Sequence, residues 1–190
     1  TGEGFVGRMA GAPYDILPKD QLEPATISFT VDGVDWDKVI QYIKENPDDI
    51  ALESFNNEYK NWPKEKVIEE LRKVKDITEI GEVRGFFKIR DKAFANGDWH
   101  EFSGMGFFLM PREGGVIQAH FQHSSHVGNV DCTDVRDMTR AEIEARNQIM
   151  IAWRGIKKYP PGFENAYITR ICPEIRIRET GRILGDYVIT

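Results

Sequence analysis

The sequence predicts an α+β domain in which a mixed or antiparallel sheet packs against several helices. Helical and strand-like segments follow one another along the chain without a regular βαβ alternation. The 190 residues are 41% hydrophobic and 29% charged, which is ordinary for one soluble domain with a real core. Because no repeat, low-complexity tract or linker interrupts the chain, we expect residues 1–190 to form a single domain.

The first half of the chain predicts one strand and three helices after a loop-rich segment over residues 1–24. Residues 26–31 alternate and are rich in β-branched side chains, which favours a strand. Asp35 is placed to cap a helix over 36–45. Pro63 suits the first turn of a second helix that runs to residue 75. A third helix is expected over 83–95, with Phe86, Phe87 and Phe94 facing inward.

The second half predicts two more strands, the longest helix and two short strands. Strands over 100–110 and 116–122 are joined by a turn at 112–115, and Gly104 and Gly106 indicate a bulge or a close backbone approach. Thr139 and Glu142 have the spacing of a capping box, so the long helix is expected to start there and to run to residue 158. Strands over 166–171 and 182–189 complete the chain.

Composition excludes several classes of function. The net charge of −6 argues against general nucleic-acid binding. The longest apolar runs are too short to span a bilayer, so no membrane partner is expected. Cys132 and Cys172 permit a disulfide, but nothing in the sequence demands one, and a cytoplasmic location is the default.

Three arginines near the end of the chain form the strongest candidate site. Arg176 and Arg178 are two residues apart, so on a strand both guanidinium groups leave the same face. Arg182 follows shortly after, and planar guanidinium groups bind carboxylate or phosphate through two hydrogen bonds. The alternative is a strand edge whose arginines pair with Glu174 and Glu179. The first interpretation predicts a site for a small anionic substrate.

Three of the four histidines, His120, His123 and His126, lie within seven residues. Neutral imidazole binds zinc, but on a strand His120 and His123 point to opposite faces, so no metal is expected. Contact with a substrate is the functional alternative, since imidazole donates to carboxylates and transfers protons near neutral pH. The remaining interpretation is a set of partly exposed histidines at a strand end.

Asp131, Asp134 and Asp137 recur at every third residue, and a calcium loop is one interpretation of that spacing. A calcium loop needs glycine at its sixth position, where this chain has Arg136. Acidic residues also stabilise the N-terminus of the helix that follows, and this second interpretation is the stronger one.

The two ends of the chain resemble the FAD-dependent oxidoreductase family of flavoproteins. The resemblance rests on the glycine-rich start, with Thr1, Gly2, Glu3 and Gly4, and on segments of the last third: 131–134, 138–146, 161–166 and 178–190. Residues 35–110 match poorly. Glu3 stands where the family usually has aspartate, and Gly181 stands where an arginine is common, which removes one anion contact.

The resemblance implies that the chain is an internal fragment, the excised cap or substrate-binding domain of a flavoprotein. In the parent protein, hydride passes between the flavin and a small, anionic substrate, and Thr1, Gly2, Glu3 and Gly4 contact FAD. Without the Rossmann part and a C-terminal part, the fragment is expected to bind FAD weakly or not at all and to be inactive. Its partners would be the remainder of the flavoprotein and, through an exposed sheet edge, a second copy. The alternative is a non-enzymatic module that binds an anion or a protein.

Overall fold

The computed structural model describes residues 4–52, 56–100 and 104–187. Its elements are, in chain order, α1 (Phe5–Met9), β1 (Tyr14–Ile16), β2 (Phe29–Asp32), α2 (Trp36–Glu45), α3 (Lys64–Lys73), β3 (Glu82–Val83), α4 (Phe87–Ala95), β4 (Phe107–Pro111), β5 (Ile117–Phe121), α5 (Val135–Lys158), β6 (Tyr167–Ile171) and β7 (Gly181–Ile183). Five strands form one antiparallel sheet in the order β3-β4-β5-β2-β6, and β1 pairs with β7 in a second, two-stranded sheet. The α+β prediction is therefore confirmed, and every strand pair is antiparallel.

One face of the large sheet carries the aromatic centre of the core. Phe29 and Phe121 lie opposite each other on β2 and β5, and their rings stack with centroids 5.0 Å apart. Phe163 packs edge-on against Phe121, and Trp153 of α5 packs edge-on against Phe29. Since α5 also turns a row of alanines and isoleucines into the core, this helix covers the apolar face of the sheet.

The helices begin and end for local reasons that the sequence shows. The carboxylate of Asp35 accepts from the amide of Lys38, so α2 starts where the prediction placed it and ends at Glu45. The long helix α5 ends at Lys158, also as predicted, but it begins four residues early. Its N-cap is Asp134, which accepts from the amide of Arg136, while Thr139 bonds to a carbonyl inside the helix. The capping-box prediction is therefore wrong.

The segment before α4 differs from the prediction. Residues 82–83 form strand β3, and the helix starts only at Phe87, because Phe86 adopts a left-handed backbone conformation with φ of 59°. Phe86 is fully buried as expected, but Phe87 and Phe94 are 39% and 50% exposed. Gly106 does mark a close backbone approach, since a Cβ there would lie 2.8 Å from the carbonyl oxygen of Val83.

Both ends of the described chain meet in the two-stranded sheet. Tyr14 pairs with Ile183, and the short helix α1 packs on β7. Cys132 and Cys172 are both in the thiol form. Within the described ranges, no helix combines the length and the apolar character that crossing a membrane requires.

Candidate functional site

The second face of the large sheet is polar and carries a cross-strand row of three residues. Thr30 lies opposite His120 on one side and opposite Arg170 on the other. Residues directly opposite in antiparallel strands share a face, and the His120 ring nitrogen Nδ1 lies 3.0 Å from the Thr30 hydroxyl. Thr30 is 4% exposed, His120 is partly exposed and Arg170 is exposed. The short central threonine thus lies beneath two longer side chains that reach towards solvent.

A second row of histidine, threonine and arginine lies at two isolated bridges just before β2. Backbone pairing joins Ala25 to Val127 and Thr26 to Arg176, and all four bonds of these two pairs lie between 2.7 and 3.2 Å. Side chains alternate along an extended chain, so Thr26 is on the face opposite to the buried Ala25. In the same way, His126 is on the face opposite to the buried Val127. Thr26 therefore lies opposite Arg176 and on the same side of the paired segments as His126.

Buried hydrogen bonds hold the segment that carries His123 and His126. The Ser125 hydroxyl accepts from the amide of Ile27 and donates to its carbonyl, at 2.8 and 2.9 Å. The side-chain amide of Gln148 on α5 bonds both backbone groups of His126, at 2.7 and 3.1 Å. The two histidines are therefore preorganised, because their backbone is bonded to the sheet on one side and to α5 on the other.

His123 and His126 stack on each other with ring centroids 6.0 Å apart and an interplanar angle of 17°. Burial lowers the pKa of His123, and the charges of Arg178, Arg84 and Arg176 lower it further, against a single raising contribution from Glu82. This arrangement makes the neutral imidazole the resting form of His123 near pH 7.

His126 is the more strongly perturbed of the pair. Burial, with the neighbouring His123, Arg178 and His100, lowers the pKa of its imidazole to about 4. Its ring atom Nδ1 is buried and finds no hydrogen-bond partner among the described residues. Protonation of this ring is therefore costly, and His126 stays neutral over the physiological range.

Each histidine of the stacked pair lines a different cavity. A pocket of about 430 Å³ runs beside His123 and is lined by Arg84, Glu82, Phe87 and Phe108 together with several glycines. A cleft of about 770 Å³ lies on the side of His126. Its wall on α5 is made by residues spaced four apart, Arg140, Glu144 and Gln148. The stacked pair therefore separates two concave surfaces.

The three arginines of the sequence prediction divide into two groups. Arg176 and Arg178 lie on the exposed side of their segment and contribute to the electrostatics of His123. Arg178 bonds Glu23 at 2.7 Å, and neither predicted glutamate partner takes that place. Arg182 belongs to β7 in the other sheet and pairs with Glu179. The charges of Arg176 and Arg178 thus act on the pKa of His123, neither arginine lines the pocket beside His123 or the cleft beside His126, and a role for each of the three arginines remains a prediction.

Sequence reasoning missed Arg170 and Arg84. Arg170 faces Thr30 only because β6 has one particular register against β2, which includes an irregularity between Thr30 and Val31. Arg84 follows a two-residue strand that the sequence pattern predicts as helix. The alternation in 166–171 was the only sequence signal for Arg170, and it does not specify which strand pairs with this segment or in which register.

Asp131, Asp134 and Asp137 stabilise α5 and the turn before it, with Asp137 in the first turn of the helix. Asp134 is the N-cap, and Asp137 accepts from the amide of Asp131 at 3.0 Å and pairs with Lys19. Among the residues that the structure describes, no group of histidine, cysteine, aspartate or glutamate side chains is arranged to hold a metal ion.

Of the four residues expected to contact FAD, only Gly4 lies within the described residues. Thr1, Gly2 and Glu3 lie outside the described residues. Gly4 has a left-handed φ of 63° and precedes α1, which has five residues. A Cβ at Gly4 would lie 3.0 Å from the Ile183 side chain, so the glycine permits close packing on β7. A helix this short forms no diphosphate site by itself.

A family comparison covers the whole chain. The sequence model of the family described as FAD dependent oxidoreductase matches residues 1–190. Neither the comparison with curated proteins nor that with solved structures gave a match.

Proposed function

This chain belongs to the FAD dependent oxidoreductase family, and we propose that it forms the substrate-binding or cap part of such a flavoprotein and binds a small anion. The observation that supports the proposal is the stacked pair His123 and His126, whose pKa values are lowered by burial and by the charge of Arg178 and, for His123, of Arg176. We call these four residues, Arg176, Arg178, His123 and His126, the Arg–His cluster. The family's cofactor would supply the hydride chemistry, and this chain would supply the substrate contacts.

The chemistry of the cluster fits an anion better than a cation or a neutral ligand. The guanidinium group of an arginine is a cation that presents several N–H donors to carboxylate or phosphate oxygens. Arg178 forms a salt bridge with Glu23, whose side chain is 58% exposed. An exposed ion pair contributes little to stability, so an incoming anion displaces or shares this contact at small cost.

The two histidines give the site a fixed wall and a neutral donor. His123 lines the 430 Å³ pocket, whose phenylalanine walls offer apolar surface to the carbon atoms of a small acid. A neutral imidazole donates through one ring nitrogen and accepts through the other, which suits an oxygen that is gaining or losing a proton. We assign anchoring to the arginines and the proton contact to His123.

Anion binding can be measured directly with inorganic sulfate as the probe. We expect Arg178→Ala to weaken sulfate binding about tenfold or more, which is the loss of one charge-assisted contact. Arg72→Ala is the matched control, because Arg72 is an exposed arginine at the end of α3, outside the cluster. Equal affinities in the wild type and in both variants would remove the cluster from the proposed function.

Flavin binding provides the second test. After incubation with FAD and gel filtration, we expect the chain to be colourless, because the five-residue helix that follows Gly4 is too short to form a diphosphate site by itself. Retained flavin absorption would show that the chain holds the cofactor itself, and the cap assignment would then be wrong. Redox turnover by the isolated chain with added FAD would contradict the proposal in the same way. The alternative, a non-enzymatic anion-binding module, would require sulfate binding with no flavin-linked turnover in any longer form.

A further inference from the structure

We propose that the pocket beside His123 binds the flat ring of an aromatic carboxylic acid, and that Arg84 meets the carboxylate at the opening of the pocket. This inference rests on the proposed function for the expectation that the ligand is an acid, and it names the class of acid. The pocket has a volume of about 430 Å³, which is the size of a site for a small molecule.

Two phenylalanines give the pocket its apolar surface. Phe87 opens α4 and is 39% exposed, while Phe108 on β4 is partly exposed, and both rings line the pocket. A ligand that covers these rings removes apolar area from water, and a second aromatic ring gains further from pairing with them. The walls therefore favour a flat aromatic ligand over an aliphatic one.

A strained backbone places Phe87 at the pocket. The preceding residue, Phe86, is one of two described residues other than glycine with a positive φ, which is 59°. A bulky residue rarely adopts this conformation. Phe86 is fully buried in the core, and the residue after it is turned outwards at the start of α4. The strain thus accompanies an exposed aromatic ring on a concave surface.

A buried carboxylate fixes the start of α4, and with it this wall of the pocket. Asp49 is completely buried, and its oxygens accept from the hydroxyl of Tyr42 at 2.6 Å and from the amide of Lys88 at 2.5 Å. The amide of Ala51 bonds the carbonyl of Arg84 at 2.8 Å. Because these bonds hold the backbone on both sides of the exposed ring, the wall is preorganised and a ligand has little to order.

Gly104 leaves the space that the pocket occupies. A Cβ built on it would lie 3.9 Å from the amide nitrogen of Gly106, the nearest atom among the described residues outside its chain neighbours. At Gly85 and Gly106, in contrast, a Cβ would lie 2.8 Å from a carbonyl oxygen, so close packing requires those two glycines. The amide of Gly104 bonds the carbonyl of His123 at 3.0 Å, which holds this open position beside the histidine.

The charged groups of the lining suit a ligand with a single negative charge. Arg84 and Glu82 both line the pocket and form a 2.6 Å ion pair through Nε of the arginine. The arginine is the exposed partner, at 63% of its side chain against 17% for the glutamate. A carboxylate at the opening therefore meets Arg84 before Glu82, and the planar guanidinium is suited to sharing its donors between two carboxylates. Arg84 adds a cation inside the pocket to the arginines of the Arg–His cluster.

Benzoate is the suitable probe, with acetate, cyclohexanecarboxylate and benzylamine for comparison. Titration of the whole chain, followed by amide NMR spectra, gives both the affinity and the place of binding. We expect benzoate to bind at least about tenfold more tightly than acetate, and more tightly than the cyclohexane acid, whose ring is not flat. The amide signals of Gly104 and Gly106 should shift, and that of Gly128 in the cleft beside His126 should not.

Two substitutions test the place of the ring. Gly104→Leu fills the pocket and should weaken benzoate binding about tenfold or more. Gly128→Leu is the matched control, because a Cβ there meets no atom within 4 Å and lies in the other cavity, so benzoate binding should be unchanged. Phe87→Ala removes a ring that is already 39% exposed and should also weaken benzoate binding. This second variant provides the test if the leucine variant does not fold.

A third substitution tests the contact with the carboxylate. Arg84→Met keeps an unbranched side chain without its charge, and it should weaken benzoate binding several-fold. Benzyl alcohol has the same ring and no charge, so its binding should be unchanged in this variant. Arg72→Met, on the exposed end of α3, is the control and should affect neither ligand.

The outcomes distinguish this inference from the proposed function. Sulfate binding that Arg178→Ala weakens, together with no preference for benzoate over acetate, would overturn the inference and leave the proposed function intact. Benzoate binding that neither Gly104→Leu nor Phe87→Ala weakens would place the ring elsewhere, and tighter binding of benzylamine than of benzoate would rule out an acid; each result overturns the inference. Benzoate binding in the pocket, with sulfate binding indifferent to Arg178, would support the inference and remove the cluster from the proposed function.

Discussion

Replacing His126 with glutamine should make the protein less sensitive to mild acid. In the wild type the imidazole of His126 has a folded-state pKa of about 4, against 6.5 for the unperturbed group. The unfolded chain therefore binds a proton before the folded chain does as the pH falls. Stability is lost between pH 7 and pH 4, and below pH 4 both states are protonated and no further loss comes from this group.

The magnitude follows from the size of the shift. The difference between a pKa of about 4 in the folded state and 6.5 for the unperturbed group corresponds to about 3 kcal/mol, since one pKa unit is worth about 1.4 kcal/mol. The ring is only partly buried, and solvent screens part of the interaction, so we expect about 1 to 2 kcal/mol in practice. His123, His120 and His100 also have lowered pKa values, so some acid sensitivity will remain in the variant.

The assay is urea unfolding of the wild type and of His126→Gln at several pH values from 7 to 4. Because the substitution also changes packing, the informative quantity is the change with pH in the difference between the two unfolding free energies. That difference should shift by about 1 to 2 kcal/mol in favour of the variant on acidification. His120→Gln is the comparison, and it should produce a smaller shift. Parallel stability curves for the wild type and His126→Gln would refute the argument that the buried ring must stay neutral.

Three further predictions test the fold. Gly162→Ala should lower the free energy of unfolding in urea by about 2 kcal/mol or more, because φ is +91° and the new Cβ would lie 2.5 Å from the carbonyl oxygen of the α2 N-cap. Gly114→Ala is the control, since φ there is +78° but the Cβ would point into open space, and it should cost only about 1 kcal/mol. Equal costs for the two variants would contradict the steric argument. Tyr42→Phe removes a 2.6 Å hydrogen bond to a buried carboxylate and should lower the free energy of unfolding by about 1.5 to 3 kcal/mol, so a neutral result would show that water replaces the hydroxyl. If the outer edge of β6 pairs with a second copy, sedimentation should show a concentration-dependent dimer that Tyr167→Lys weakens. Tyr187→Lys is the control and should leave the dimer unchanged, because Tyr187 is 83% exposed and lies outside any strand. A dimer that Tyr167→Lys does not weaken would place the contact elsewhere.

The helices show how far local sequence information reaches. The bounds of α2 agree with the prediction because its start depends on Asp35 and its end on the adjacent Asn46 and Pro47. The start of α5 was predicted four residues too late, because two capping patterns compete there and the sequence does not rank them. The inward placement of Phe87 and Phe94 was wrong, because residues 83–86 were interpreted as part of the helix, whereas α4 begins only at Phe87.

The candidate site shows where local information ends. The arginine and histidine segments were both identified from residue type and spacing, and the alternation rule placed Arg176 and Arg178 on one face. Their meeting depends on residue 26 pairing with residue 176, and on residue 25 pairing with residue 127. Those are contacts between residues that lie 102 to 150 positions apart in the chain.

By itself, the sequence determined the fold class, most helices and the residue types of the proposed anion site, because periodicity, caps and side-chain chemistry are encoded within a few residues. Only the tertiary structure decided which strands are neighbours and in which register. A strand shifted by one residue would turn every side chain to the opposite face, so no local pattern specifies the rows of histidine, threonine and arginine. The low pKa of His126 likewise arises from burial and from charges distant in sequence, and only the folded chain brings these together.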